Sequence, residues 1–410
     1  MRFLSSFLIT VAAAIAALPL HAAEPVAPWV ATWAAPALDY NKPVPIPGAA
    51  TPVPTTLRDQ TVRVRVLPAI GGTQVRVRFS NVFGQSPLHI RAASVARSTG
   101  ADALSPRTVR ALHFAGRPDV VLGPGAERWS DLVDLAVEPQ QALGVSLYLA
   151  DPTRVATVFP IAESGAWIAP GDATAAATLR AAIPSAQGHV VTGVDVRRQP
   201  PPPVVAAFGD SITFGAGTRE GTQGSYPVRL AQRLRGQPSR VEAPSVLNVG
   251  IGGNRLLTDG IGPRALDRFE RDVLSQSGVT HTIILIGIND IGLGAVVGAD
   301  ELPLEQLTGG LHQLTELARA RGVKVLLGTL TPMQGSAYFN EATEAKRQGF
   351  NRWIRGRQDV EGVIDFDAAL RDPGNPAALR AAYDSGDHLH PSDAGYAAMA
   401  AAVDVRELQE

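Results

Sequence analysis

The sequence predicts two folding units joined by a proline run: an all-β sandwich over residues 24–196, and an α/β unit over 204–404 whose parallel sheet is covered by helices. Three observations predict this. Strict apolar alternation marks the first half, four consecutive prolines interrupt the chain at 200–203, and beyond them short apolar runs alternate with stretches of helical period. The 410 residues suffice for two or three domains at about 150 residues each. With 45% hydrophobic and 18% charged residues, wholesale disorder is excluded.

Residues 1–22 read as a signal peptide. Arg2 supplies a positive start, Phe3 to Leu20 is mostly apolar, and Leu20-His21-Ala22 offers the small residue that signal peptidase favours, with Ala23 as the alternative cleavage site. The stretch is short and Pro19 interrupts it, which argues against a stable membrane anchor. The expectation is an exported protein, periplasmic or extracellular.

In the first unit, Thr61-Val62-Arg63-Val64-Arg65-Val66 and Gln74-Val75-Arg76-Val77-Arg78-Phe79 alternate with a period of two. That period puts the Val/Phe face inward and the Arg face outward. Gly71-Gly72 between them suits a reversal, so the two predict an antiparallel hairpin. The outward arginines fit a solvated sheet face better than a basic stripe for acidic glycans. Further strands are expected at 120–122, 132–137 and 145–149. Trp29, Trp33, Trp129 and Trp167 read as filling a core or an interface rather than stacking on sugars.

The prolines make 197–203 a stiff linker. After it, strands are expected at 204–208, 246–249, 282–286, 323–327 and 363–365. Helices are expected from Tyr226 through Leu234, with Ser225 as cap, and at 263–274, 304–320 and 341–354, with a last one from Ser392. In such sheets chemistry sits at the carboxyl ends of the strands.

Composition narrows the chemistry. Lys+Arg is 37 against Asp+Glu 38, a net charge of −1, so binding of nucleic acid by bulk charge is not expected. The chain has no cysteine, which excludes disulfides, Cys-ligated zinc, Fe–S clusters, a Cys nucleophile and a lipidated Cys. No metal or cofactor is implied.

The loops after the strands carry the candidates. Gly209-Asp210-Ser211 presents a serine one turn beyond the first strand. Asn248-Val249-Gly250-Ile251-Gly252-Gly253-Asn254 exposes backbone N–H groups of the kind an oxyanion hole needs. Gly287-Ile288-Asn289-Asp290 ends the third strand with an amide able to donate to developing negative charge. Asp387-His388-Leu389-His390-Pro391 offers His390 as base and Asp387 as its orienter. His388 is the rival base, and a metal site from His388, His390 and Asp387 the rival use of the loop. Phe214, Leu256, Leu257 and Ile291 read equally as an acyl pocket or as packing.

These four blocks, in this order, resemble the SGNH or GDSL-type hydrolase superfamily. The resemblance implies a flavodoxin-like α/β/α three-layer sandwich and a metal-free serine esterase. It implies Ser211 as nucleophile, His390 as base and Asp387 as orienter, with an oxyanion hole of Ser211 N–H, Gly253 N–H and the Asn289 side chain, Gly252 being the alternative to Gly253. Trp29-Val30-Ala31-Thr32-Trp33-Ala34 and Val77-Arg78-Phe79-Ser80-Asn81-Val82-Phe83-Gly84 resemble a bacterial exported arylesterase and acylhydrolase subgroup found beside xylan-degrading enzymes. That resemblance implies an O-acetyl or short-acyl esterase on decorated carbohydrate. The alternatives are a lipase, lysophospholipase or thioesterase of broader acyl range, and a glycan-binding protein with a vestigial hydrolase unit.

Overall fold

A computed structural model describes residues 28–42, 55–160, 165–219, 221–236, 242–297 and 302–408. The signal-peptide reading of 1–22 lies outside them. Among the described residues no helix is long and apolar enough to cross a membrane.

The chain between 29 and 197 forms two main antiparallel sheets. One runs in the order Trp29–Ala34, Val191–Arg197, Gly72–Ser80, Glu127–Trp129, with Val133–Val137 also on the third strand. The other runs Ile183–Ser185, Ala166–Pro170, Gln60–Val66, Leu143–Leu149, Ala92–Arg97, Arg110–Ala111. Val62, Val64 and Val66 of one sheet and Val75, Val77 and Phe79 of the other are all fully buried in one core. The alternation placed these residues inward, and they are.

Two expectations for this region are corrected. The strands at 60–66 and 72–80 do not pair as a hairpin; each lies in a different sheet. The connection holds five residues, and Thr32 pins it: Ala69 N–H donates to Thr32 O and Ile70 N–H to Thr32 Oγ1, so the chain crosses between sheets instead of folding back. The arginine faces are not solvated either. Arg63 is 1% exposed. It donates to Ser146 Oγ and to the carbonyls of Asp102, Ala173 and Ala176 at 2.6–3.0 Å, and burial lowers its pKa to about 10. Arg76 pairs with Asp195 at 2.7 Å and lies over both Trp29 and Trp129, while Arg78 is buried against Thr192.

The second half is a five-stranded sheet: β1 (Val204–Gly209), β2 (Ser245–Gly250), β3 (Val279–Leu285), β4 (Lys324–Gly328) and β5 (Gly362–Ile364). All neighbours are parallel and the order is β2-β1-β3-β4-β5. The helices are α1 (Ser211–Phe214), α2 (Tyr226–Arg235), α3 (Ala265–Phe269), α4 (Ile288–Val297), α5 (Leu304–Ala320), α6 (Glu341–Arg355), α7 (Phe366–Leu370) and α8 (Asp393–Ala402). This is a flavodoxin-like α/β architecture. Its strand order reverses at β1, where such sheets form their ligand crevice. The fold continues past α8 to Leu408, which is fully buried.

The two halves are in contact through the outer face of the first sheet. Ser277 donates its hydroxyl to Asp195 at 2.7 Å and accepts from Arg76 at 3.0 Å, so Arg76 serves this contact. Ala31 N–H donates to Ser277 O, and Ser245 Oγ donates to Ala31 O. Leu38 packs with Val158 on Ile251, inside the glycine block, and Lys42 pairs with Asp259 at 2.8 Å. The β-rich half therefore braces the loop that follows β2.

Candidate active site

β1 runs directly into α1, so Ser211 opens a helix at the carboxyl end of the sheet. Asp210 is the N-cap and accepts from Ile212 N–H at 3.0 Å. Two glycines make the turn possible by close approach. A Cβ at Gly209 would sit 2.2 Å from Thr213 Oγ1 and 2.3 Å from Leu285 O, and one at Gly250 would sit 2.4 Å from Phe214 N.

His390 arrives from the loop before α8. Its Nε2 is 2.8 Å from Ser211 Oγ, and its Nδ1 is 2.6 Å from Asp387 Oδ2. The other Asp387 oxygen accepts the backbone N–H groups of Leu389 and His390 at 3.0 and 2.8 Å, which fixes the carboxylate to the loop. Partial burial pushes the Asp387 carboxyl up, but these hydrogen bonds, the His390 ring's first among them, outweigh it and hold it at about 2. A chain from hydroxyl through imidazole to carboxylate is the arrangement that activates a serine. His388 is turned elsewhere: its Nδ1 meets Asp384, and its side chain is half exposed. Each histidine thus has its own carboxylate, and the loop does not gather His388, His390 and Asp387 around a common point.

The glycine block and Asn289 lie on either side of Asn254. Gly253 has a φ of 67°, the left-handed conformation that favours glycine, and a Cβ there would also press on the end of the Ile261 side chain at 2.6 Å. The N–H groups of Ser211 and Gly253 meet no acceptor among the described residues. Asn289 is not at a strand end, as expected from sequence, but in the first turn of α4. It is 2% exposed, its Nδ2 donates to Asn254 O at 3.0 Å, and its Oδ1 accepts from Tyr338 O–H at 2.8 Å.

Sequence reasoning missed four supporting residues. Asp290 accepts from Leu256 and Leu257 N–H at 2.7 and 3.1 Å and so ties α4 to the loop after β2. Arg268 of α3 is fully buried and donates to Gly209 O, Val249 O and Asn254 Oδ1 at 2.7–2.9 Å. Tyr338 reaches Asn289 from the segment after β4. Asp210 is fully buried with one oxygen unpaired. Of these, only the two aspartates lay within the motif blocks. Leu256 and Ile291 are core residues, and Leu257 packs on Gly310 of α5. Phe214 lines a cavity of about 110 Å³ of mixed polar and apolar lining, with Trp33, Phe159 and Asn248.

Asp210 yields a pH prediction. Burial pushes its carboxyl from 3.8 up to about 7, with Asp290 nearby adding to the rise and the Ile212 bond opposing it. A group whose folded value is raised contributes stability that is whole below the unfolded value and is lost as pH rises through the folded one. Wild type should therefore lose thermal stability relative to Asp210→Asn between about pH 4 and pH 8. Melting curves of both proteins across that range check it; a Tm difference that does not change with pH contradicts it.

Residues 207–398 match the family model described as the GDSL-like lipase/acylhydrolase family. No curated protein matches the chain. Among solved structures, the chain is similar to a catalytic mutant of an acetylxylan esterase from Geobacillus stearothermophilus, at 22% identity and a TM-score of 0.40, over 50% of this chain and 94% of that one. It is also similar to a GDSL-like lipase from Bacteroides thetaiotaomicron, at 19% identity and a TM-score of 0.37, over 50% and 87% of the two chains. The α/β unit thus matches the GDSL-like lipase/acylhydrolase family over residues 207–398, and the protein is a carboxylic ester hydrolase.

Proposed function

We propose that this hydrolase is a serine esterase that removes short acyl groups, acetyl above all, from the hydroxyls of decorated carbohydrate. The observation that carries the chemistry is the relay from Ser211 Oγ to His390 Nε2 at 2.8 Å and from His390 Nδ1 to Asp387 at 2.6 Å. Ser211 Oγ attacks the ester carbonyl while His390 Nε2 takes its proton. Asp387, ionised at every working pH, holds the ring in the right tautomer and stabilises the imidazolium. The carbonyl oxygen, now negative, is met by Ser211 N–H, Gly253 N–H and Asn289 Nδ2, each worth about 3 kcal/mol in such sites. His390 returns the proton to the departing alcohol. Water, deprotonated by the same ring, then attacks the acyl-serine, and the acid leaves with Ser211 reprotonated.

Two observations support the choice of substrate. Leu256 and Ile291 are buried in the core and Leu257 is partly buried against α5, which leaves them little surface to line a groove for a long acyl chain. Beside the Gly253 loop, Leu38, Asp39, Tyr40 and Lys42 of the β-rich half face Gly260–Pro263 across a small, mainly apolar cleft in which the Tyr40 ring could take the face of a sugar. Export by the 1–22 leader, proposed from sequence, would bring the enzyme to polysaccharide. The test is a series of p-nitrophenyl esters from acetate to palmitate, with acetylated xylan alongside and acetate release as readout. Highest kcat/KM on acetate together with acetate release supports the proposal. Preference for palmitate overturns it in favour of a lipase, and glycan binding without turnover in favour of a vestigial enzyme.

A further inference from the structure

We propose that Tyr338, outside every motif block, is the positioning residue that orients the Asn289 amide toward the carbonyl oxygen of the substrate; the inference rests on the esterase reading above.

A side-chain amide has two faces of opposite character. A carbonyl oxygen only accepts, and an NH₂ group only donates. Asn254 O selects between the two orientations, and Tyr338 O–H holds the amide in the one selected. Asn254 O, a pure acceptor, lies 3.0 Å from Nδ2, and Tyr338 O–H lies 2.8 Å from Oδ1. Turning the amide over would set Oδ1 against the Asn254 carbonyl, two acceptors face to face. With the observed orientation, one Nδ2 hydrogen goes to Asn254 O. The other meets no acceptor among the described residues and stays available for an oxyanion.

Tyr338 is itself held by contacts that have nothing to do with substrate. Its ring lies on Gly292, one turn along α4 from Asn289. A Cβ at Gly292 would fall 2.2 Å from the ring, so only glycine leaves it this floor. Its backbone is fixed on both sides: Tyr338 N–H donates to Ser336 Oγ, and Tyr338 O accepts from Thr343 Oγ1 at 2.9 Å, next to the Asn340 capping box of α6. Burial raises the phenol to about 12, so the hydroxyl keeps its proton and remains a donor. The same segment reaches the acid–base loop, because Gly335 lies under the His388 ring, where a Cβ would come within 2.8 Å.

The test is a double-mutant cycle on p-nitrophenyl acetate, with Ser211→Ala as control. Tyr338→Phe removes only the hydroxyl. It should lower kcat about tenfold with KM within about twofold, since the lost interaction matters in the transition state. Asn289→Ala should lower kcat about 10²-fold or more. In that background Tyr338→Phe should change kcat by less than about twofold, because the group it positions is gone. Gly292→Ala, which displaces the ring from the other side, should reproduce both results and serves where Tyr338→Phe does not fold. An unchanged kcat in Tyr338→Phe, or the same loss with and without Asn289, overturns the inference while leaving the esterase reading intact. Full turnover by Ser211→Ala overturns both.

Discussion

Ser211→Ala will lower kcat on p-nitrophenyl acetate by about 10⁴–10⁶-fold, with the folded structure unchanged. The size follows from what the serine does. It supplies the only hydroxyl in contact with His390 Nε2 among the described residues, so its loss leaves the base with no nucleophile to deprotonate. What survives is water held near the oxyanion donors, worth about 10³–10⁴ over the uncatalysed rate. The substitution is structurally mild. Ser211 Oγ makes no hydrogen bond to the backbone, and the turn is held by Asp210, Gly209 and Gly250. Matching circular dichroism and melting curves, together with the kcat ratio, check the expectation; a loss below about tenfold contradicts it.

Arg268→Met will destabilise the protein by about 3–5 kcal/mol. Arg268 is fully buried, and its guanidinium lies 4.0 Å from the Phe208 ring centroid. Burial lowers its pKa to about 10, so it carries its charge at neutral pH. It joins the ends of β1 and β2 to Asn254, and it pairs with Asp272 at 3.0 Å. Methionine fills much of the volume but satisfies none of these acceptors. The Asn254 amide oxygen loses its partner, the Val249 carbonyl loses a charged donor and the Gly209 carbonyl keeps only Ile251 N–H, while among the described residues Asp272 keeps only Arg271. Because Asn254 O is the acceptor that holds Asn289, kcat should fall as well. Urea denaturation followed by tryptophan fluorescence measures the first effect; a change under about 1 kcal/mol contradicts the assignment.

How much of this was legible in the sequence depends on how local each interaction is. The parallel strands were legible because buried strands are continuous apolar runs. β1, for example, is Val-Val-Ala-Ala-Phe-Gly, with every residue buried. The Ser211 and Asp387/His390 blocks could be read because each is a short peptide whose backbone sets its own geometry, Asp387 bonding the N–H groups two and three residues on, whereas the place of Asn289 in a helix is set by partners distant in the chain. The arginines of the β-rich half were misread because their acceptors are distant in the chain. Arg63 finds Asp102, Ala173 and Ala176, and Arg76 finds Asp195 and Ser277. Alternation gives the side of a sheet on which a residue lies, but not what covers that side. The hairpin failed for the same reason, since Thr32 directs the connection from about 38 residues away. Tyr338 and Arg268 carried no signal at all: neither sits in a motif, and their bonds to the site run to residues 49 positions away for Tyr338 and 14, 19 and 59 positions away for Arg268.

The braced loop after β2 links the two halves to one chemistry. Leu38 on Ile251 and Lys42 on Asp259 place the β-rich half against the segment that bears Gly253. The proline run between the halves therefore joins parts that act on the same substrate under the reading proposed above.

The central claim is that Ser211, driven by His390 and Asp387, is acylated during turnover. The most direct measurement is intact-mass spectrometry after treatment with a fluorophosphonate, which reacts with activated serine hydroxyls, followed by peptide mapping. One adduct per chain on the peptide bearing Ser211, lost in Ser211→Ala and strongly slowed in His390→Ala, is the predicted result. No adduct on active wild-type enzyme, or an adduct that persists in Ser211→Ala, would contradict it.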